Sequence, residues 1–247
     1  MILYINGDSH AAGAEAELPY GWAEDDGKFW GKGRQPHPDN EKVSFGAVLA
    51  DLIGCKRINQ SQAGGSNPRI IRTTTQWIEA NYDLLADTFM LIQWSTWERE
   101  EWLHNGIWYQ VNASGADHVP PELEQRYRQY IIDIDHHACT RQSHEKIWQF
   151  HQYLDSKGIR HLFFNGNSTF SYLAVQIVPD CRDWNNCYIG PYVRELSYDS
   201  VLLNNGFAHV NSKNGHFGKA AHCFWGKYLL QYIKQYQLLE LDEIPTD

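Results

Sequence analysis

The sequence predicts an α/β protein with a parallel sheet covered by helices on both faces. Two observations predict it. Short apolar runs at 1–5, 55–59, 87–94 and 160–165 read as buried strands, the third with the continuous run Thr88 to Ile92. Segments of helical spacing alternate with them.

Taken in order, residues 1–5 form the first strand. Residues 11–43 are rich in Gly, Pro, Asp and Asn and read as a long loop or lid. A helix is expected over 44–53, with Ser44 as its N-cap and Gly54 as its stop. Residues 55–59 form strand two, and 60–66 a Gly-containing loop. The pair Asn67-Pro68 opens a helix to about Tyr82, with Asn67 as N-cap and Pro68 in the first turn. Strand three at 87–94 is followed by an irregular, Trp-rich stretch over 95–118. A long helical region, with room for a break, covers 120–157, and strand four is "RHLFFN" at 160–165. Residues 166–214 read as irregular, and 216–238 as a terminal helix. No internal repeat is visible, so residues 1–247 are expected to form a single domain.

Net charge is −9, and no basic run occurs, which argues against a nucleic-acid partner. No apolar stretch is long enough to span a membrane, and the first strand has no basic region before it. A cytoplasmic location is therefore expected. The five cysteines are scattered without a C-x-x-C pair and read as reduced thiols. No histidine spacing (His216 with His222, His136 with His137) suits a metal, so neither a metal nor an organic cofactor is expected. The ten tryptophans and fourteen tyrosines suit either sugar stacking or aromatic packing.

In parallel sheets the ligand site lies at the carboxyl ends of the strands. The residues found there are Asp8-Ser9-His10, Gly64-Gly65-Ser66, Ser95-Thr96-Trp97 and Asn165-Gly166-Asn167. Ser9 follows strand one on a sharp Gly7-Asp8 turn. A serine hydroxyl needs a base to become a nucleophile, and His216, just before the last helix, can reach the sheet top.

Four blocks in order make the chain resemble the SGNH (GDSL-like) hydrolases, a superfamily of flavodoxin-like three-layer α/β/α sandwiches. They are Gly7-Asp8-Ser9, "NQSQAGGSN" with Gly64 five residues after Asn59, Gln93-Trp94-Ser95-Thr96, and Asn214-Gly215-His216 before "FGKAAH". The resemblance implies a serine esterase or O-deacylase acting on a small acyl ester, including one carried by a glycan. It implies Ser9 as nucleophile and His216 as base. The N–H groups of Ser9 and Gly64 would hold the oxyanion, each donor worth roughly 3–4 kcal/mol. Ser95 stands where the family has its third donor, an Asn. Asn214 stands where the family has the Asp that orients the base, with Asp183 and Asp199 as substitutes. His10, Gly65, Trp97 and Arg99 are the substrate-binding candidates, His10 standing where many members carry Leu.

Several residues carry a plainer reading. Arg99 is expected to pair with Glu98, Glu100 or Glu101 rather than with a ligand. Trp94 suits the core as well as a rim, and His222 is expected to pack beside Trp225. Trp22 and Trp30 could belong to a lid or to an ordinary surface loop. A function of another class is a weak or inactive SGNH-like glycan-binding protein. Similarity to SGNH-like proteins carried by tailed phages admits a virion location.

Overall fold

The computed structural model describes residues 1–18, 36–113, 119–175, 180–211 and 215–241. Asn214, Trp22 and Trp30 lie outside them, as does most of the expected lid.

Strand β1 (Ile2–Asn6) leads into a turn, and after a short helix α1 (Pro38–Glu41) comes α2 (Phe45–Ile53). Ser44 caps α2 by accepting from Ala47 N–H, and Gly54 ends it in the left-handed conformation. Strand β2 (Lys56–Asn59) pairs parallel with β1. Helix α3 (Asn67–Ala80) is capped by the Ser66 hydroxyl, which accepts from Arg69 N–H. The cap is thus one residue earlier than expected, and the Asn67 side chain is released for another bond. Strand β3 (Thr88–Trp94) is buried along its whole length.

The stretch expected to be irregular holds an antiparallel hairpin, β4 (Glu100–His104) and β5 (Ile107–Val111). Its tip is Asn105-Gly106, both at positive φ, the dipeptide that suits a tight two-residue turn. The long helical region divides into α4 (Glu124–Asp133) and α5 (His136–Ser156), with Asp135 capping the second. Strand β6 (Arg160–Asn165) follows. The region after it, also expected to be irregular, contains α6 (Ser171–Ala174), β7 (Tyr188–Ile189) and α7 (Tyr198–Asn204). Helix α8 (Lys219–Gln235) is the last element.

The five-stranded sheet runs β2-β1-β3-β6-β7, and every pairing in it is parallel. The strand order reverses between β1 and β3, so a crevice is expected at their carboxyl ends. Alternation along the strands builds two cores. Leu3, Ile5, Phe89, Leu91, Leu162 and Phe164 pack with Phe45 of α2 and with Trp225 and Leu229 of α8. Tyr4, Met90, Ile92 and Phe163 pack on the other face with Ile70 of α3 and with Ile147 and Phe150 of α5. The result is a three-layer α/β/α sandwich, as the sequence predicts. Two apolar faces explain why β3 reads as an unbroken hydrophobic run.

Candidate active site

The chain leaving β1 turns tightly over 8–16. Ala12 N–H donates to Asp8 O at 3.0 Å, Ala14 N–H to Ser9 O at 2.9 Å, and Ala16 N–H to Gly13 O at 3.0 Å. This turn carries Asp8, Ser9, His10 and Glu15, all buried. Lys219 N–H, in the first turn of α8, donates to Ala16 O at 2.7 Å and ties the two segments together. That contact brings His216 to the turn. The His216 ring stands edge-on to His10, the neighbour of Ser9, with centroids 5.5 Å apart.

The group that orients His216 is Glu15. His216 Nδ1 lies 3.0 Å from Glu15 Oε2. Asn211 Nδ2 donates to both oxygens of the same carboxylate, at 3.0 and 3.1 Å. A carboxylate can only accept, so His216 Nδ1 carries a proton and donates it to Glu15, which leaves Nε2 as the nitrogen that faces away from the carboxylate. Glu15 itself has φ +62°, a left-handed conformation that costs a non-glycine residue of order 1–3 kcal/mol. The substitutes considered for the orienting acid are engaged elsewhere. Asp199 pairs with His209 Nε2 at 2.9 Å, and Asp183 accepts from Asn185 N–H at 3.0 Å.

The Gly-containing loop is held against β1 by Arg69. Its guanidinium donates to Gln62 Oε1 at 2.6 Å, Gln60 O at 2.8 Å and Asn6 Oδ1 at 3.2 Å. Burial pushes its pKa down to about 10, which leaves it charged at neutral pH. Within the loop the two glycines differ. Gly65 N–H donates to Gln62 O at 3.0 Å, and a Cβ at Gly65 would meet Gln62 O at 2.9 Å and Gly7 O at 3.1 Å. Gly65 is therefore a buried packing position under the Ser9 turn. Gly64 has φ +71° and faces open space. Among the described residues, the N–H groups of Ser9 and Gly64 have no hydrogen-bond acceptor.

Ser95, expected as the third oxyanion donor, has both its hydroxyl and its N–H engaged within the protein. Its hydroxyl donates to Asp8 Oδ2 at 2.8 Å and accepts from Arg99 Nη1 at 2.8 Å. Its N–H donates to Asn67 Oδ1 at 2.8 Å. Arg99 also reaches Asp8 Oδ2 at 3.1 Å, so its partner is Asp8 and not the adjacent glutamates. Burial opposes the charge on Asp8. The nearby His10 and Arg99, with hydrogen bonds from His10 N–H and Ser95, outweigh it and hold the carboxyl below its usual range. Burial pushes the His10 pKa down to about 4, so the ring is neutral.

The aromatic candidates are largely packed. Trp94 is fully buried. Trp97 stacks on Phe170 with centroids 4.4 Å apart and donates its indole N–H to Thr169 O at 3.3 Å, so one ring face is covered. His222 stacks on Phe45 and accepts its N–H at Nδ1.

Sequence reasoning missed Glu15 and Asn211. Glu15 stands in an Ala-rich stretch, "AAGAEAEL", where nothing separates it from its neighbour Glu17 as the one to be buried. Among the described residues, no helix is long and apolar enough to cross a membrane. No family model matches the sequence, and no curated protein matches it. Among solved structures, the fold is similar to an acetyl xylan esterase (Est2A) from the rumen bacterium Butyrivibrio proteoclasticus, with a TM-score of 0.42 and 12% identity. The match covers 96% of this chain but 65% of that esterase, so the chain spans less than two thirds of its length.

Proposed function

We propose that the chain is a serine ester hydrolase of SGNH type, an O-deacylase for a small acyl group, with acylated glycans as the first substrate class to examine. One observation carries the reading: Glu15 and His216 are paired beside the turn that holds Ser9. The pair supports an acid and a base for Ser9, with the acid drawn from the nucleophile's own turn.

In the proposed mechanism Ser9 Oγ attacks the acyl carbon while its proton passes to His216 Nε2. Nδ1–H then donates to Glu15, which stabilises the imidazolium. The N–H groups of Ser9 and Gly64 receive the developing oxyanion. Collapse breaks the ester C–O bond, and the alcohol leaves with the proton from His216. Water then cleaves the acyl-enzyme by the same route in reverse, releasing the acid and free Ser9. Neither Ser95 nor Asn214 is needed for these steps. Ser95 and Arg99 act as positioning groups that hold Asp8, and hence the turn.

The test is hydrolysis of p-nitrophenyl acetate by the intact protein and by Ser9→Ala, together with fluorophosphonate labelling. The expected outcome is covalent labelling at Ser9 and a loss of about 10⁴-fold or more on substitution. Equal rates for the two proteins, without labelling, would overturn the assignment. Retention on a glycan array that survives Ser9→Ala would then favour a binding protein.

A further inference from the structure

The opposite end of the sheet holds a second cluster of ionisable side chains. His151 and Asp155 are one turn apart on α5, and His161 stands near the start of β6. A ligand atom from each lies within 4.8 Å of the other two. Both imidazoles are almost wholly buried, at 1% and 2% exposure.

The hydrogen bonds fix where the lone pairs point. His161 Nδ1 is 2.8 Å from Ile159 O, and a carbonyl only accepts, so Nδ1 carries the proton. His161 Nε2 therefore presents a lone pair, and it faces His151 Nδ1 at 2.8 Å. If His151 Nδ1–H fills that contact, the neutral ring turns its Nε2 lone pair toward the Asp155 carboxylate, 3.3 Å away. Two acceptors then face each other at hydrogen-bond distance. A divalent cation relieves this, taking the His161 Nε2 lone pair, one His151 ring nitrogen and one carboxylate oxygen, a set of atoms that lie within 4.8 Å of one another.

His161 already has the arrangement usual for a metal-bound histidine, one ring N–H on a backbone carbonyl and the other nitrogen free. Zinc sits about 2.0–2.2 Å from nitrogen and oxygen ligands, so tetrahedral ligand atoms are roughly 3.3 Å apart. The cluster reaches that spacing with small side-chain shifts. A cavity of about 220 Å³, lined by Asp155, His161 and Cys187 among others, adjoins it and leaves space for a fourth ligand.

We propose that His151, Asp155 and His161 form a binding site for a zinc-class divalent cation that clamps α5 to β6. The donor set, two imidazoles and one carboxylate, favours zinc over the harder calcium and magnesium. The site lies at the amino ends of the parallel strands, away from Ser9, so its role is structural and independent of ester hydrolysis.

The test uses the full chain, stripped with a chelator and desalted, then titrated with Zn²⁺ by calorimetry and with Co²⁺ by visible absorption. One saturable site and a rise in Tm with zinc are expected, both lost in His151→Gln. Asp155 is half exposed, so Asp155→Asn is compatible with the fold. It is expected to weaken zinc binding about tenfold or more and to leave ester hydrolysis unchanged. The absence of a saturable site would overturn the proposal. So would an affinity unmoved by both substitutions, or one lost in His216→Gln instead. None of these results bears on the Ser9 assignment.

Discussion

His216 Nδ1 and Glu15 Oε2 are 3.0 Å apart in space and 201 residues apart in sequence. The contact makes the carboxylate of the first turn the partner of the last histidine. Two amide N–H bonds from Asn211 hold that carboxylate in place.

Glu15→Gln keeps the side-chain shape but replaces the anion with a neutral amide. In the proposed mechanism this loses the stabilised imidazolium and the fixed tautomer. The expected outcome is a fall in kcat for p-nitrophenyl acetate of about 10⁴-fold with little change in KM. Steady-state kinetics of the two proteins check it. A kcat within a few-fold of the parent would remove Glu15 from the mechanism.

Arg99→Ala leaves the buried Asp8 carboxylate without its cation. Breaking a buried pair from one side costs about 3–5 kcal/mol, and the partial exposure of Arg99 places the loss at the low end of that range. Urea unfolding should show it. Adding Asp8→Asn removes the orphaned charge and is expected to recover most of the stability. Equal losses in the single and double variants would mean that the pair is not coupled.

Acid should destabilise the fold well above the carboxylate range. Burial lowers His10 to about 4 and His222 to about 3, against an ordinary value near 6.5. Between those limits the unfolded chain binds protons that the folded chain refuses. Stability is therefore full above about pH 6.5 and falls progressively as pH drops toward 4. Unfolding free energies measured from pH 7.5 to 4.5 should decline over this interval. A His222→Gln variant should decline less steeply.

Helices α2 and α8 meet closely at Gly226. A Cβ there would lie 2.8 Å from Val48 Cβ and 3.1 Å from Phe45 O. Gly226→Ala gains helix propensity yet must push the helices apart, so a net loss of about 1–3 kcal/mol is expected. A thermal melt at or above the parent Tm would show that the interface yields freely.

The fold was legible because both faces of the sheet are covered. That makes strands such as β3 continuous apolar runs, and caps such as Ser44 and Gly54 mark the helices plainly. The hairpin is less visible because the Trp-rich 95–118 stretch lacks a clean alternation, although Asn105-Gly106 is a direct turn signal. Strand β7 has two residues and no pattern to detect. The places of Ser9 and Gly64 after strands, and of His216 before the last helix, are readable from the sequence, and their roles are those of the proposed mechanism. The partnership of Glu15 with His216 is not readable, since the two lie 201 residues apart and no spacing rule links them. The partners of Ser95 are hidden for a related reason. Its position after β3 is fixed by sequence, but its partners Asp8 and Arg99 come from β1's turn and the start of the hairpin. The grouping of His151 and Asp155 has no signal in the sequence, because their common face matters only once β6 brings His161 against it.

The 8–16 turn holds Ser9 and Glu15 by short-range bonds, whereas His216 arrives only when α8 has docked through Lys219 to Ala16. The proposed triad is thus a report on chain closure. Part-folded chains, even with a native-like sheet, would have nucleophile and acid but no base. Recovery of ester hydrolysis during refolding should therefore lag the recovery of sheet signal and track the docking of the final helix.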